Sequence, residues 1–272
     1  MRLAFFGDVV GKAGRLALQD HLPRLRADLR LDFVVANAEN AVGGFGVTEP
    51  ICQELFHAGC DALTLGNHAW DQRDALTYIA REPRLLRPAN YPALTEAPGR
   101  GAQVFDVAGR RVLLVTVLGR LFMDALDCPF TAVDRELTAC PLGAVADAVL
   151  VEIHAEATSE KQGMGHFCDG RASLVVGTHT HVPTADARVL PGGTAFQTDA
   201  GMCGDYDSVI GMKKEIAVRR LAVRLPFDRH QPAEGPGVAC GVYVETDDRT
   251  GLARTITPIR MGEGLAQSVP AL

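Results

Sequence analysis

Ala172-Ser173-Leu174-Val175-Val176-Gly177-Thr178-His179-Thr180-His181-Val182-Pro183 is a short apolar, β-branched run that opens into a polar loop with two histidines. The run reads as a buried strand. The imidazoles of His179 and His181 therefore leave a strand end, with Gly177 loosening the backbone just before them. Strand-like geometry puts residues i and i+2 on one side, and neutral imidazole is the commonest protein metal ligand. A polar loop that happens to contain two histidines has the same composition. The choice between the two readings rests on what stands at the other strand ends.

Working outward, Leu3 to Phe6 reads as a first buried strand, with Gly7-Asp8-Val9-Val10-Gly11 as the loop at its end. Ala13 to Leu29 has the apolar spacing of an amphipathic helix through Leu18, Leu22, Leu25 and Leu29, and Pro23 predicts a kink or a break within it. Asp32 to Ala36 is a second strand, ending in Asn37-Ala38-Glu39-Asn40. The glycine-rich Val42-Gly43-Gly44-Phe45-Gly46 leads to a helix that Thr48 is placed to cap ahead of Pro50. Ala62 to Leu65 is a third strand, closed by Gly66-Asn67-His68-Ala69-Trp70-Asp71. Three strand, loop and helix units within the first ~80 residues are how parallel α/β sheets are built.

Further on, Pro83 to Gly101 reads as proline-rich surface loop, and Val104 to Val112 as a hairpin turning near Ala108-Gly109. Val112 to Val117 is a strand, and Phe122 to Thr138 reads as loop with some helix. Ala148 to Ile153 is a strong strand signal with His154 at its end, followed by helix formers from Ala155 to Lys161. Short strands are expected near Ala187–Leu190 and Thr194–Thr198, then a polar loop from Ala200 to Ser208. Gly241–Glu245 and Ala253–Ile259 form an antiparallel closing pair. With no internal repeat or linker, residues 1–272 are expected to be one domain.

Composition limits the partners. A formal net charge of −6 offers no footprint for long nucleic acid or an anionic membrane. Seven cysteines, odd in number and without a C-x-x-C, argue against a disulfide framework and for a reducing compartment. The opening apolar run is too short for a signal peptide, and no stretch approaches the roughly 20 apolar residues that span a bilayer. The expectation is a cytoplasmic protein.

Asp8, Glu39 with Asn40, Asn67 with His68, His154, and His179 with His181 all stand at predicted strand ends. Each has a plain reading alone: Asp8 as a helix cap, Glu39-Asn40 as loop polarity, Asn67 as a turn residue, His68 and His154 as buried, satisfied histidines. Five strand ends carrying the right donor types together outweigh these. In open α/β sheets that edge is where ligands bind. Carboxylates with imidazoles and amide oxygens suit transition metals better than calcium. The set is large enough for two ions with a bridging carboxylate, and metals about 3.5–4 Å apart are a recurring solution for phosphate-ester hydrolysis.

These residues resemble, in order, the motifs of the calcineurin-like metallophosphoesterases. The usual Asp-x-His and Gly-Asp are replaced here by Asp8-Val9-Val10 and Glu39-Asn40. With Gly66-Asn67-His68-Ala69-Trp70-Asp71, His154 to Lys161, and Asp207-Ser208-Val209-Ile210-Gly211-Met212, the departures are similar to a narrower group, the YmdB-like phosphodiesterases, across essentially the whole chain. The resemblance implies a metallophosphoesterase-type α/β sandwich, mostly parallel, with helices outside. It implies one metal held by Asp8, Glu39, Asn40 and His181, and a second held by Glu39, Asn67, His154 and His179. Iron or manganese is the implied metal, and a bridging hydroxide the nucleophile. His68 is the implied proton donor to the leaving alkoxide, and 2′,3′- or 3′,5′-cyclic nucleotides are the implied substrates. Two other readings stay open at this point: a CapA-type relative, and a nucleotide-sensing regulator without turnover. The loop from Gly201 to Met212 is expected to border the substrate pocket, in its own chain or a neighbouring subunit of a homo-oligomer. Tyr206 is expected to stack on a base, and Ser208 to cap a segment from Val209.

Overall fold

The structure, a computed structural model, describes residues 1–223 and 229–271. The first half runs β1 (Arg2–Phe6), β2 (Asp8–Val9), α1 (Gly11–Leu29), β3 (Phe33–Asn37), α2 (Glu49–Ala58), β4 (Ala62–Thr64), α3 (Arg73–Tyr78) and β5 (Leu85–Leu86). Then come β6 (Ala102–Val107), β7 (Arg110–Leu118), α4 (Pro129–Ala139), β8 (Ala148–His154), α5 (Thr158–Phe167), β9 (Leu174–Thr178), β10 (Arg188–Val189) and β11 (Ala195–Gln197). The chain closes with β12 (Met202–Asp205), α6 (Lys214–Val223), β13 (Gly237–Thr246) and β14 (Ala253–Met261).

Two sheets form. One has the order β2-β12-β13-β1-β3-β4-β5, with β14 also on β13, and the other β10-β11-β9-β8-β7-β6. The chain alternates in register between two buried faces. Leu3, Phe5, Phe33 and Val35 of the first sheet meet Leu114, Leu150, Leu174 and Val176 of the second between the sheets. Their neighbours Ala4, Phe6, Val34 and Ala36 face Leu18, Leu22 and Leu25 of α1 and Leu55 of α2 instead. On the far side Val149, Val151 and Val175 face Val133 of α4 and Met164 of α5. Sheets covered on both faces need continuous apolar strands rather than alternating ones, which is why these segments carry no polar face. Each fully buried Leu, Val or Phe contributes roughly 1.5–3 kcal/mol. The result is the expected α/β sandwich with helices outside.

Several local expectations change. Helix α1 runs unbroken through Pro23, which faces solvent while the leucines around it pack on the sheet. The proline-rich stretch read as surface loop contains β5, buried beside β4. The stretch from Phe122 to Thr138 does hold the helix expected within it, α4. Thr48 occupies the N-cap of α2 without a side-chain bond, and its carbonyl accepts from Cys52 N at 2.9 Å instead. The hairpin stands as expected: Val107 pairs with Arg110 around Ala108 (φ 53°) and Gly109 (φ 81°), the positive-φ pair that a two-residue turn demands. The closing pair also forms, but β13 lies between β1 and β12 inside the sheet. The loops read at Gly7–Gly11 and Ala200–Ser208 instead pair with each other, Asp8 with Met202 and Val9 with Cys203.

Candidate metal and phosphoester site

The C-terminal ends of β3 and β4 from one sheet meet those of β8 and β9 from the other, with Asp8 of β2 between them. Local chemistry aims each donor. Asn37 Oδ1 accepts from Glu39 N at 3.0 Å, a tight polar turn that swings Glu39 inward. A Cβ on Gly66 would fall 2.4 Å from both Glu39 Oε2 and His154 Nε2, so only glycine lets this loop pass so close. His68 N then donates to Glu39 Oε2 at 2.9 Å.

Glu39, His154 and His179 form a tight cluster, with one donor atom from each lying mutually within 4.8 Å. His154 Nε2 is 3.0 Å from Glu39 Oε1, 3.0 Å from Asn67 Oδ1 and 3.1 Å from His179 Nδ1. Asp8 closes the floor: its Oδ2 accepts from His179 N at 3.1 Å, and its Oδ1 lies 3.6 Å from His154 Nδ1. Asn40 and His181 line the same cavity. All seven residues singled out as ligand candidates thus converge.

Sequence reasoning missed the support behind His154. Thr178 Oγ1 donates to Glu152 Oε1 at 2.8 Å, so it accepts from His154 Nδ1 at 2.9 Å. Asn37 Nδ2 also reaches Glu152 Oε1, at 2.6 Å. That chain fixes Nδ1 as the protonated nitrogen and turns Nε2 to the cluster. His181 is fixed likewise: its Nδ1–H donates to the Ile210 carbonyl at 2.8 Å, leaving Nε2 as the free donor atom. The one available signal was that Asn37, Glu152 and Thr178 are polar residues inside otherwise apolar strands.

The two histidines do not reach the site by strand alternation. The strand stops at Thr178, and His179 (φ 97°) and His181 (φ 65°) both adopt left-handed backbone. For residues with a Cβ this costs roughly 1–3 kcal/mol each and persists only where surroundings over-determine it.

Charge in the cluster is strongly displaced. Burial alone would raise the Glu39 carboxyl, but His154 outweighs it and holds it at about 2. Burial opposes charge on His154, yet Glu39 overcomes it and lifts the ring to about 9. Burial and the neighbouring His154 charge hold His179 down at about 3. Burial pushes Asp8 up to about 6 against the pull of His181 and His154. Asp8 Oδ1 and Asn40 Oδ1 are buried acceptors that receive no hydrogen bond, and Asn40 Nδ2 is already spent on Gly44 O at 2.9 Å. An unmet buried acceptor costs roughly 1–3 kcal/mol, which a cation offsets. The donor set of carboxylate, amide oxygen and imidazole fits transition metals.

His68 stands at the mouth, Nδ1 2.7 Å from Asp71 Oδ2 and its ring edge-on to Phe45 at 5.1 Å. Asp71 and Phe45, both present in the quoted motifs, had not been given roles. The cavity here, about 610 Å³, is lined on its far side by Val209, Ile210, Met212 and Leu221. The loop expected to border the substrate pocket thus lines this cavity through Val209, Ile210 and Met212. Within its own chain Tyr206 does not stack there: its hydroxyl is turned inward to Met202 N at 3.0 Å and the His181 carbonyl at 3.3 Å. Nor does Ser208 start a helix. Its Oγ accepts from Gly211 N at 2.8 Å within a turn, and the next helix begins at Lys214.

Comparisons agree with this geometry. The chain is 43% identical to a 2′,3′-cyclic-nucleotide 2′-phosphodiesterase of Bacillus subtilis (strain 168), over 97% of this chain and 98% of that protein. A hypothetical protein from Thermus thermophilus superposes with a TM-score of 0.90 at 43% identity, over 97% of this chain and all of that one. A structure described as a novel phosphatase from Mycoplasma pneumoniae gives 0.89 at 32% identity, over 96% and 93% of the two chains. The family model described as YmdB-like protein matches residues 4–259, so the chain belongs to the YmdB-like family of calcineurin-like metallophosphoesterases.

Proposed function

We propose that this metal-dependent phosphodiesterase hydrolyses small phosphodiesters, cyclic nucleotides foremost, using two transition-metal ions, iron or manganese. The pair of unpartnered buried oxygens, Asp8 Oδ1 and Asn40 Oδ1, beside the Glu39–His154–His179 cluster carries the reading. Asp8, Glu39, Asn40 and His181 would hold one ion. Glu39, Asn67, His154 and His179 would hold the other, with Glu39 serving both. Bound cations supply Lewis-acid stabilisation of charge on phosphorus and lower the pKa of water. His68 serves the other end of the reaction, giving a proton to the departing alkoxide. Asp71 occupies its Nδ1 and so leaves Nε2 for that task.

A cavity of about 610 Å³ suits a mononucleotide, with Phe45, Ile210 and Met212 offering an apolar wall to a base. Among the described residues no helix is long and apolar enough to cross a membrane. All seven cysteines are free, six of them buried, which fits a reducing, cytoplasmic setting. The test is metal analysis of the purified protein together with turnover of 2′,3′-cyclic AMP and a bis-aryl phosphate. Two metal ions per chain and chelator-sensitive turnover of both are expected. Nucleotide binding without turnover at full metal loading would instead identify a sensor.

A further inference from the structure

Lys161 of α5 is the one lysine or arginine among the described residues that is fully buried. An ammonium in such a place must be paired, and Nζ donates to buried Asp199 Oδ2 at 2.6 Å. The lysine stem passes under Gly177, where a Cβ would come 2.7 Å from Lys161 Cδ and 1.8 Å from Thr198 O. A buried ion pair is weak evidence for net stability, because apolar packing of the same volume does as well. The remaining bonds of Asp199 show a different use. Oδ2 also accepts from Thr180 N at 3.2 Å and from Thr180 Oγ1 at 2.7 Å, while Oδ1 accepts from Gly201 N at 2.8 Å.

Thr180 is the residue between His179 and His181, the two left-handed positions of the loop. Such backbone relaxes unless something holds it, and the carboxylate of Asp199 grips the point between them. From there His179 Nδ1 is directed toward His154, and His181 Nδ1–H toward the Ile210 carbonyl. Neither Lys161 nor Asp199 lines the cavity.

We infer that the buried Lys161–Asp199 pair is the strut that locks the two-histidine loop in its strained form. Lys161 and Asp199 are then positioning residues for the imidazoles. The ligand role of those imidazoles rests on the function proposed above. The strut itself does not.

The experiment compares wild type with Lys161→Met and Thr180→Val in the full chain. It measures amide exchange over residues 177–183 without metal, the unfolding midpoint without metal, and the dissociation constant for manganese(II) alone. Thr180→Val removes the hydroxyl bond to Asp199 and leaves the ion pair. It should keep the midpoint near wild type, speed exchange of the loop and weaken manganese binding by about 10–100-fold, the usual cost of losing a ligand's support. Lys161→Met should produce the same loosening. Wild-type exchange and affinity in Thr180→Val would overturn the strut, and with a lowered midpoint in Lys161→Met alone would leave the pair a packing feature. Should Lys161→Met fail to fold, Thr180→Val still decides. His181→Ala separates the two readings: unchanged manganese affinity would remove the ligand assignment, while exchange measured without metal still judges the strut.

Discussion

His68 and Asn67 are adjacent in the chain, yet their side chains serve different partners. Asn67 Oδ1 reaches His154 Nε2, whereas the His68 ring turns to Asp71 and Phe45. His68→Ala should therefore retain its metal content while losing ~10²–10⁴-fold in turnover, the usual worth of general-acid assistance. That loss should shrink for a p-nitrophenolate leaving group, which departs without a proton. An equal loss for good and poor leaving groups would mean that His68 positions substrate instead. Gly66 gives a complementary test. Its added methyl in Gly66→Ala would land against Glu39 Oε2 and His154 Nε2, so elemental analysis should find metal depleted in protein whose far-ultraviolet circular dichroism is unchanged. Full metal content in Gly66→Ala would show that the cluster has room to spare.

At the scale of elements, α1 shows tertiary packing overriding a local signal. Leu18, Leu22, Leu25 and Leu29 are all buried against the first sheet, as their spacing predicts. Pro23 removes one backbone donor, but on the solvent side, where water can reach the carbonyl it leaves unpaired. The helix therefore continues, at a cost its buried face absorbs. Pro23→Ala restores the donor, and part of that gain is lost because the unfolded chain becomes freer. Denaturant titration should show a gain of roughly 1–3 kcal/mol, with turnover unchanged because the site lies at the other end of the strands. A destabilised Pro23→Ala would mean that the proline is set into a local distortion the helix needs.

For the whole molecule, the site is a seam between two sheets. Glu39 comes from one and His154 from the other, and their contact at 3.0 Å is an ion pair when metal is absent. His154 is raised from 6.5 to about 9, so its contribution to stability is complete below pH 6.5 and is lost as pH rises through 9. Glu39, held at about 2 from 4.5, contributes above pH 4.5 and loses that only in acid. The shifts of Asp8 and His179 also act at or below pH 6.5. The chelator-stripped protein should thus lose on the order of 3 kcal/mol between pH 6.5 and 9, read as a falling unfolding midpoint. Adding manganese(II) at pH 8 should restore the midpoint, since a ligand of the folded state alone stabilises it. A flat profile in the stripped protein would mean that the Glu39–His154 contact does not carry charge.

The apolar runs, their spacing and the polar residues ending each of them determined the two-sided burial of the sheets and the donor types at one edge. These are properties of short segments, where side-chain chemistry and period suffice. Val149 to Ile153 and Leu174 to Val176 had no other use than as buried strands, and the donors after them had to emerge where those strands stop. Other features depended on partners far along the chain. Asp8–Val9 becomes a strand only because Met202–Cys203 lies beside it. Tyr206 turns inward because the Met202 backbone and the His181 carbonyl offer bonds there. His179 and His181 take left-handed backbone that no local propensity favours, and Lys161 is buried because Asp199, 38 residues away, is there to receive its charge. Long-range pairing of hydrogen bonds and charges is decided by tertiary structure, since the energy of burying a polar group is set by a partner the local sequence does not contain.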